Sequence, residues 1–435
     1  MEASPAAAAA EDGRRGMSSP RVTVVVVVHA GAERLDDAIA SLESYEGDPA
    51  VEVVLVDNAS PDRCGEVARK RWPWLRAVRS DVNVGFAGGV ALGVEAASGD
   101  VLVLLNDDAA AGEGFVEAHL AALDATPDAA ASAGRLTSWD GRRHDFVRGI
   151  LTFDAHAFQA GQGADVDEVA PPEAGEPLPF ACGGNMAVRR RDWVLSGGFD
   201  PSLFAYFEDV ELGWRLLSAG RDIVACPAAV ARHRGAATSA AFGDFRRGVL
   251  YERNALRTFF ACADEEHRQA VGPAVLATFL HRMVAFARAE PARAAWASDP
   301  FAPDLHPPLD RGERWRRRLR RQGVVRSLRH GIARLLLGPS VGHPRLGDDH
   351  LLMQIRAADG FFRGLDEASE RRRSLEDRRR VSDRELLRRF PRLVVPTYAG
   401  DEAWFESTGF SDLFPDGWGF ERRRLDEVMR LEAVR

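Results

Sequence analysis

Four short stretches hold the residue types that could do chemistry in this chain. Asn106-Asp107-Asp108 follows directly on Val101 to Leu105, five apolar residues in a row, the pattern of a short strand buried on both faces. Carboxylates delivered beyond the carboxyl end of such a strand are oxygen ligands for a hard cation, Mg2+ or Mn2+, and such a cation commonly carries a diphosphate. Asp also shapes turns after strands, so the triplet alone leaves a metal site and a turn cap both open. Asp57-Asn58 ends a second stretch that reads as a buried strand, Val51 to Val56. A carboxylate there can accept from a base imide or a ribose hydroxyl, or simply form the turn before Pro61. Glu208-Asp209 opens a stretch with Val210, Leu212, Leu216 and Leu217 at helical spacing. Acids in the first turn suit the helix dipole, and one held at a cleft edge suits general-base work. His233 follows a short strand over 228–231, where ligation and a plain surface role are both open.

The elements that must position these residues follow from periodicity. Val22 to Val28 is a β-branched run, and helical spacing over 33–44, a strand over 51–56, helical character over 64–71 and a short strand over 77–79 come after it. Asn83-Val84-Gly85-Phe86-Ala87-Gly88-Gly89 reads as a glycine-rich turn opening a helix over 90–97, before the strand 101–105. Strand, helix, strand, helix, strand means parallel βαβ units wound right-handed, the usual base for a nucleotide. No GxGxxG or GxxxxGK[ST] stands at the first turns, which argues against a dinucleotide cofactor and a P-loop. Further on, 115–123 reads as a helix, 129–134 as a strand and 137–179 as loops with a hairpin. Phe180 to Arg189 reads as one strand interrupted by Gly183-Gly184, glycines that mark close approach of backbone or ligand.

Bulk composition narrows the class. The 435 residues are 46% hydrophobic and 28% charged, ordinary for a globular protein, and a net charge of −8 gives no reason to expect nucleic acid as a partner. Four cysteines without CxxC spacing indicate neither a zinc site nor a disulfide framework, which fits a reducing cytosol. Basic residues are almost all Arg, Lys70 being the single lysine, so a lone arginine carries less meaning than usual. No window reaches the apolar length of a membrane span, and residues 1–20 read as a disordered lead rather than a signal peptide.

Taken in order, these pieces resemble the family-2 inverting glycosyltransferases of GT-A fold, with bacterial rhamnosyl- and galactofuranosyltransferase-like members nearest. The matching segments are VVVVVH at 24–29, VDNASPD at 56–62, NVGFAGG at 83–89, LLNDD at 104–108, GGN at 183–185, GGFD at 197–200, FEDVELGWR at 207–215 and HRGAAT at 233–238. The resemblance implies an α/β fold, a Rossmann-like and mostly parallel sheet flanked by helices. It makes Asp57, with Asn58, the binder of base and ribose, and Asn83 and Gly85 part of the nucleotide wall. Asn106-Asp107-Asp108 takes the place of the DxD motif with Asp108 as metal ligand, Asp209 becomes the general base with Glu208 as its neighbour, and His233 completes the metal shell. Asn106 departs from the acid many relatives carry there and weakens the hold on the metal. An Asp of ordinary pKa, about 3.9, is already ionised at neutral pH, so the resemblance asks for no tuning of Asp209. It implies transfer from a UDP- or dTDP-sugar to a glycan or lipid-linked glycan during cell-wall or polysaccharide synthesis.

The expected organisation is a GT-A domain over 21–262, a helix and proline-rich connection over 263–310, and an arginine-rich helical region over 311–435. Within the last, 311–337 interleaves arginines with apolar residues, as a peripheral segment at the inner face of the plasma membrane would. Leu351 to Arg380 reads as one long charged helix, Ser382 to Glu385 as a capping box, and the aromatic tail as a segment docked on the body. Two other functions fit parts of the pattern. A sugar-nucleotide nucleotidyltransferase would want a glycine- and lysine-rich loop after strand one, which His29 to Glu33 lacks, and a non-catalytic nucleotide-sugar-binding scaffold would keep the pocket without turnover.

Overall fold

Seven consecutive β-branched residues, six of them valine, do not alternate between core and water, so the first strand, β1 (Val22–Val28), must be covered on both faces, and all seven residues are buried. The computed structural model describes residues 21–235, 243–289, 350–398, 400–414 and 417–429. From β1 the chain runs through α1 (Ala32–Ala40), β2 (Val51–Asn58), α2 (Cys64–Arg71), β3 (Arg76–Ser80), α3 (Gly85–Ala96), β4 (Val101–Asn106), β5 (Ala109–Ala111), α4 (Phe115–Ala125), β6 (Ala129–Ser138) and β7 (His144–Phe146). The hairpin β8 (Arg148–Leu151) and β9 (Ala157–Ala160) follows, then β10 (Asn185–Arg189), α5 (Arg190–Ser196), α6 (Glu208–Ser218) and β11 (Asp222–His233).

The main sheet has the order β3-β2-β1-β4-β10-β6-β11-β5, with β7 added on β6. β3, β2, β1 and β4 are mutually parallel; β10 runs antiparallel to both β4 and β6, and β11 lies parallel to β6. This is the mostly parallel, helix-flanked sheet of the GT-A fold. It brings the carboxyl ends of β1, β2, β4 and β11 and the amino end of β10 to one edge. Register there is tight: Val28 pairs with Asp57, Val27 with Asn106, and His233 with Ala109.

Several expected elements changed shape. The glycine-rich stretch belongs to α3 itself rather than to a turn before it, because the helix must close on β1: a Cβ on Gly89 would lie 2.5 Å from Val27 Cγ1. The strand expected over 180–189 begins only at Asn185, since Gly183 and Gly184 form a turn. The short strand expected over 228–231 is the last part of a longer one, β11, with a register shift against β6 between Ala225 and Val230.

Beyond the sheet, α7 (Gly243–Cys262), α8 (Glu265–Ala289), α9 (His350–Arg363), α10 (Leu365–Glu376), α11 (Asp383–Arg389), α12 (Asp401–Phe405) and α13 (Thr408–Leu413) complete the body. The single helix expected over 351–380 is broken at Gly364 into α9 and α10. Ser382 caps α11 by accepting from the Glu385 N–H, as the capping box requires. The aromatic tail docks on the body: Phe405, Phe410 and Phe414 surround Phe153 between β8 and β9, with ring centroids 5.6, 5.5 and 5.1 Å away. Beneath them a buried ion network crosses from hairpin to helices. Arg282 pairs with Asp154 and Asp401, both at 2.9 Å, and His156 bridges Asp154 at 3.0 Å and Glu252 at 3.2 Å. Among the described residues no helix is long and apolar enough to cross a membrane. The lead over 1–20, the proline-rich connection and the segment 311–337 lie outside the described residues.

Candidate active site

The sheet edge assembles three groups of the candidate residues. At the end of β2, Asp57 is buried, accepts from the Ser60 N–H at 2.8 Å and forms an ion pair with Arg79. Asn58 spends its whole side-chain amide on the neighbouring loop. Its Nδ2 donates to Asn83 Oδ1 and to the Gly85 carbonyl, both at 3.0 Å, and its Oδ1 accepts from the Val84 N–H at 2.9 Å. Asn83 Oδ1 also accepts from the Gly85 N–H at 2.9 Å. Asn58 and Asn83 therefore hold the wall in place. Gly85, at φ +75°, lies so close to the Phe204 carbonyl that a Cβ would overlap it.

The second group sits where β4 and β11 end. His233 Nε2 lies 2.9 Å from Asp108 Oδ1 and 3.4 Å from Asn106 Nδ2, while its Nδ1 is hydrogen-bonded to Asp145. Burial alone would lower the His233 pKa, but Asp108 and Asp145 outweigh it and raise it to about 10 without a cation. Asp107 is also buried, and it has partners of its own. No group of three or more His, Cys, Asp or Glu among the described residues is arranged as a complete metal site. The donor set still fits a hard divalent cation that arrives with a diphosphate. Mg2+-type ions take one or two carboxylates from protein and the rest from phosphate and water. Adjacent ligands at bond lengths of about 2.0–2.1 Å stand about 3 Å apart, which is the separation of Asp108 Oδ1 and His233 Nε2. A carboxylate behind the imidazole, here Asp145, orients the ring and raises its basicity.

The third group is the acidic pair at the start of α6. Asp209 is half-buried; its Oδ2 accepts from the Gly183 N–H at 3.0 Å and its Oδ1 from the Val210 N–H at 2.8 Å. Burial raises the Asp209 pKa above the usual carboxylate range, with these two N–H groups working against it. The ordinary pKa expected from sequence thus does not hold, because the sheet edge desolvates this carboxylate. Glu208 is buried, its Oε2 has no hydrogen-bond partner among the described residues, and burial and the Asp209 charge push its pKa well up. Like charges this close divide the work: the more buried acid keeps the proton and Asp209 carries the charge. Gly184 ties this group to the second, for its carbonyl accepts from the Asn106 N–H at 3.2 Å, and a Cβ on it would lie 2.7 Å from Asn106 Nδ2.

What fixes the pair is a loop that periodicity could not reveal. Phe204, Tyr206 and Phe207 all have positive φ, at 68°, 68° and 72°, where side chains other than glycine are strained. The loop is held from α7, where fully buried Asn254 donates from Nδ2 to the carbonyls of Leu203, Ala205 and Tyr206 at 3.0, 2.9 and 2.7 Å. Asp145 and Asn254 were both missed in the sequence. The first lies in a stretch without periodicity 88 residues from His233; the second gives only the weak signal of an Asn inside a helix.

The chain matches the family model "Glycosyl transferase family 2" over residues 23–193. It is similar to an N-acetylglucosaminyl-diphospho-decaprenol L-rhamnosyltransferase of Mycobacterium tuberculosis, 29% identical over 235 residues, which is 49% of this chain and 76% of the relative. Among solved structures, GalNAc-T7 with UDP, GalNAc and Mn2+ aligns at 15% identity and a TM-score of 0.44, over 63% of this chain and only 52% of that one. The mannosyltransferase PcManGT from Pyrobaculum calidifontis, in complex with GDP-Man and Mn2+, aligns at 19% identity and a TM-score of 0.42, over 79% of this chain and 88% of that one.

Proposed function

We propose that this chain moves a sugar from a UDP- or dTDP-sugar to a hydroxyl of a glycan or lipid-linked glycan acceptor, with inversion at the anomeric carbon. The observation that carries the reading is the Asp209 carboxylate. It is desolvated, held by two backbone N–H groups and backed by a more deeply buried Glu208, at the same sheet edge as Asp108 and His233. In the reaction Asp209 takes the proton of the acceptor hydroxyl as its oxygen attacks the anomeric carbon. The new C–O bond forms as the bond to the diphosphate breaks on the opposite face, and the nucleoside diphosphate leaves. Asp108 and His233, the latter oriented by Asp145, would hold a divalent cation, which when bound neutralises charge on the diphosphate. Asp57 with Arg79, and the wall over 83–85, line the nucleoside end.

We further propose that residues 21–262 form the catalytic domain, and that the reaction runs at the cytoplasmic face of the plasma membrane. The M. tuberculosis relative is named for a decaprenol-linked acceptor, and 311–337 has the composition of a membrane-surface segment.

The test is a panel of UDP-, dTDP- and GDP-sugars with Mn2+ or EDTA, the anomeric configuration of the product being read by NMR. Asp209→Asn is expected to lower kcat by about 10²–10⁴-fold while donor affinity stays near wild type. A product of retained configuration refutes the mechanism, and donor binding without turnover in the wild type on a genuine acceptor supports the scaffold instead.

A further inference from the structure

A second cleft, of about 290 Å³, opens away from these candidate residues, lined by Gly112, Arg135, Thr137, Gly141, Val166, Val230 and Arg232. None of Asp57, Asn106, Asp108, Asp209 or His233 lines it. Arg232 and His233 are consecutive in β11, so their side chains leave opposite faces of the sheet; the cleft lies across the sheet from the His233–Asp108 contact.

Its chemistry is one-sided. Two arginines line it and no acid does. Nearly every other arginine near the core is spoken for: Arg79 by Asp57, Arg215 by Glu211, Arg282 by Asp154 and Asp401. Arg135 is half-buried, no side-chain hydrogen bond or ion pair engages it among the described residues, and its Nε is buried without an acceptor. Burial accordingly disfavours its charged form, with nothing to offset the loss of water. Arg232 lies over the ring of Trp139, 5.3 Å from its centroid, and among the described residues no side-chain hydrogen bond or ion pair engages it. Between them Thr137, only 4% exposed, keeps a buried Oγ1 with no hydrogen-bond partner. Buried polar groups are normally satisfied. A guanidinium and a hydroxyl left unsatisfied around one concave space mark the place of a missing acceptor, and a fork of N–H donors with an O–H suits a tetrahedral oxyanion.

We propose that this cleft binds a phosphate-class oxyanion, distinct from the sugar donor, through the guanidinium groups of Arg135 and Arg232 and the hydroxyl of Thr137. The volume stands at the lower limit of ligand pockets, enough for a phosphate or diphosphate group and too small for a whole nucleotide sugar. That group can come from inorganic phosphate or from a diphosphate carried by the acceptor.

The test uses the full chain in EDTA, so that no cation draws the probe to the donor site, with inorganic phosphate and pyrophosphate titrated calorimetrically at constant ionic strength. Saturable binding is expected, weakened about tenfold or more in Arg135→Gln and in Arg232→Gln, since each removes a charge-assisted contact. Thr137→Val keeps the shape of a residue whose hydroxyl bonds to nothing here, so it folds like wild type and still binds the anion less tightly. UDP binding in Mn2+ stays unchanged in all three variants. Equal pyrophosphate affinity in wild type and variants, or displacement of pyrophosphate by a nucleoside diphosphate in EDTA, overturns the proposal. The source is read from soluble acceptors with and without a diphosphate. A KM raised in the arginine variants for the diphosphate acceptor alone assigns the group to the acceptor, and a KM unchanged for both assigns it to free phosphate. Because the titration needs no turnover, its result is independent of the proposed reaction.

Discussion

Replacing Asn254 by alanine is expected to separate the strained loop from its clamp. The Asn254 amide offers two hydrogens to three carbonyls at 2.7–3.0 Å, all in the stretch 203–206. Each such bond is worth about 0.5–1.5 kcal/mol net, and a buried carbonyl left without a donor costs about 1–3 kcal/mol, so the loss of stability should be about 2–4 kcal/mol. Against this stands the strain of Phe204, Tyr206 and Phe207, about 1 kcal/mol or more for each residue held at positive φ. The two quantities are comparable, so the loop should relax once the amide is gone, and Phe207, immediately before α6, takes Glu208 and Asp209 with it. A displacement of about 1 Å at a reacting group costs up to about 10²-fold in rate; kcat should fall 10- to 100-fold with the donor KM little changed. Asn254→Asp keeps the size and the acceptor for Arg253 Nε, 2.9 Å away, but replaces the donor with an oxygen, and should be at least as damaging. The assay pairs urea unfolding with steady-state kinetics below the unfolding transition. A variant that loses the expected stability yet keeps kcat within about twofold refutes the positioning argument. Unchanged stability refutes the energetic one.

Asp145→Asn should raise the Mn2+ concentration for half-maximal activity about 10- to 100-fold, as loss of a carboxylate behind a metal-bound imidazole does, with activity recovered at saturating Mn2+; an unchanged Mn2+ dependence would detach Asp145 from the cation site. Stability should also depend on pH through His156. Burial alone would lower its pKa, but Asp154 and Glu252 raise it to about 9 from an ordinary 6.5. A raised pKa means that the folded state holds the proton more tightly, so this contribution is complete below pH 6.5 and is lost as pH rises through 9. Melting temperatures measured from pH 6 to pH 9.5 should fall more steeply in wild type than in His156→Gln, and parallel slopes would sink the assignment.

The first four strands and the helices between them were legible because their physics is local: unbroken β-branched runs, then helical spacing, repeated over about 85 residues. The Asp209 pair and Asp108 were legible for the same reason, each standing next to a periodic element. What escaped was set by tertiary contact. Gly85, Gly88 and Gly89 look like a turn until β1 is seen pressing on Gly89, which leaves no room for a Cβ there. Asp209 was expected to keep an ordinary pKa, and only the packed sheet edge, with the Gly183 N–H on its carboxylate, shows how burial raises it. The partnership of His233 with Asp145 joins two strands that no sequence spacing relates, and the positive-φ loop before Glu208 carries no glycine to announce it.

The buried ion network also sets an order of events during synthesis. Asp154 and His156 leave the ribosome long before Arg282, and Arg282 long before Asp401, yet the three elements are buried against one another. Until Arg282 arrives, closing the hairpin against α7 would bury Asp154 and Glu252 with His156 alone between them, leaving an uncompensated charge that costs several kcal/mol. The hairpin and the neighbouring face of α7, which carries both Glu252 and the loop-holding Asn254, therefore stay unfinished while the sheet is already complete. A nascent chain cut off before residue 282 would present its sheet edge without the clamp from α7 fully set, so the acidic pair is fixed later than the closing of the sheet.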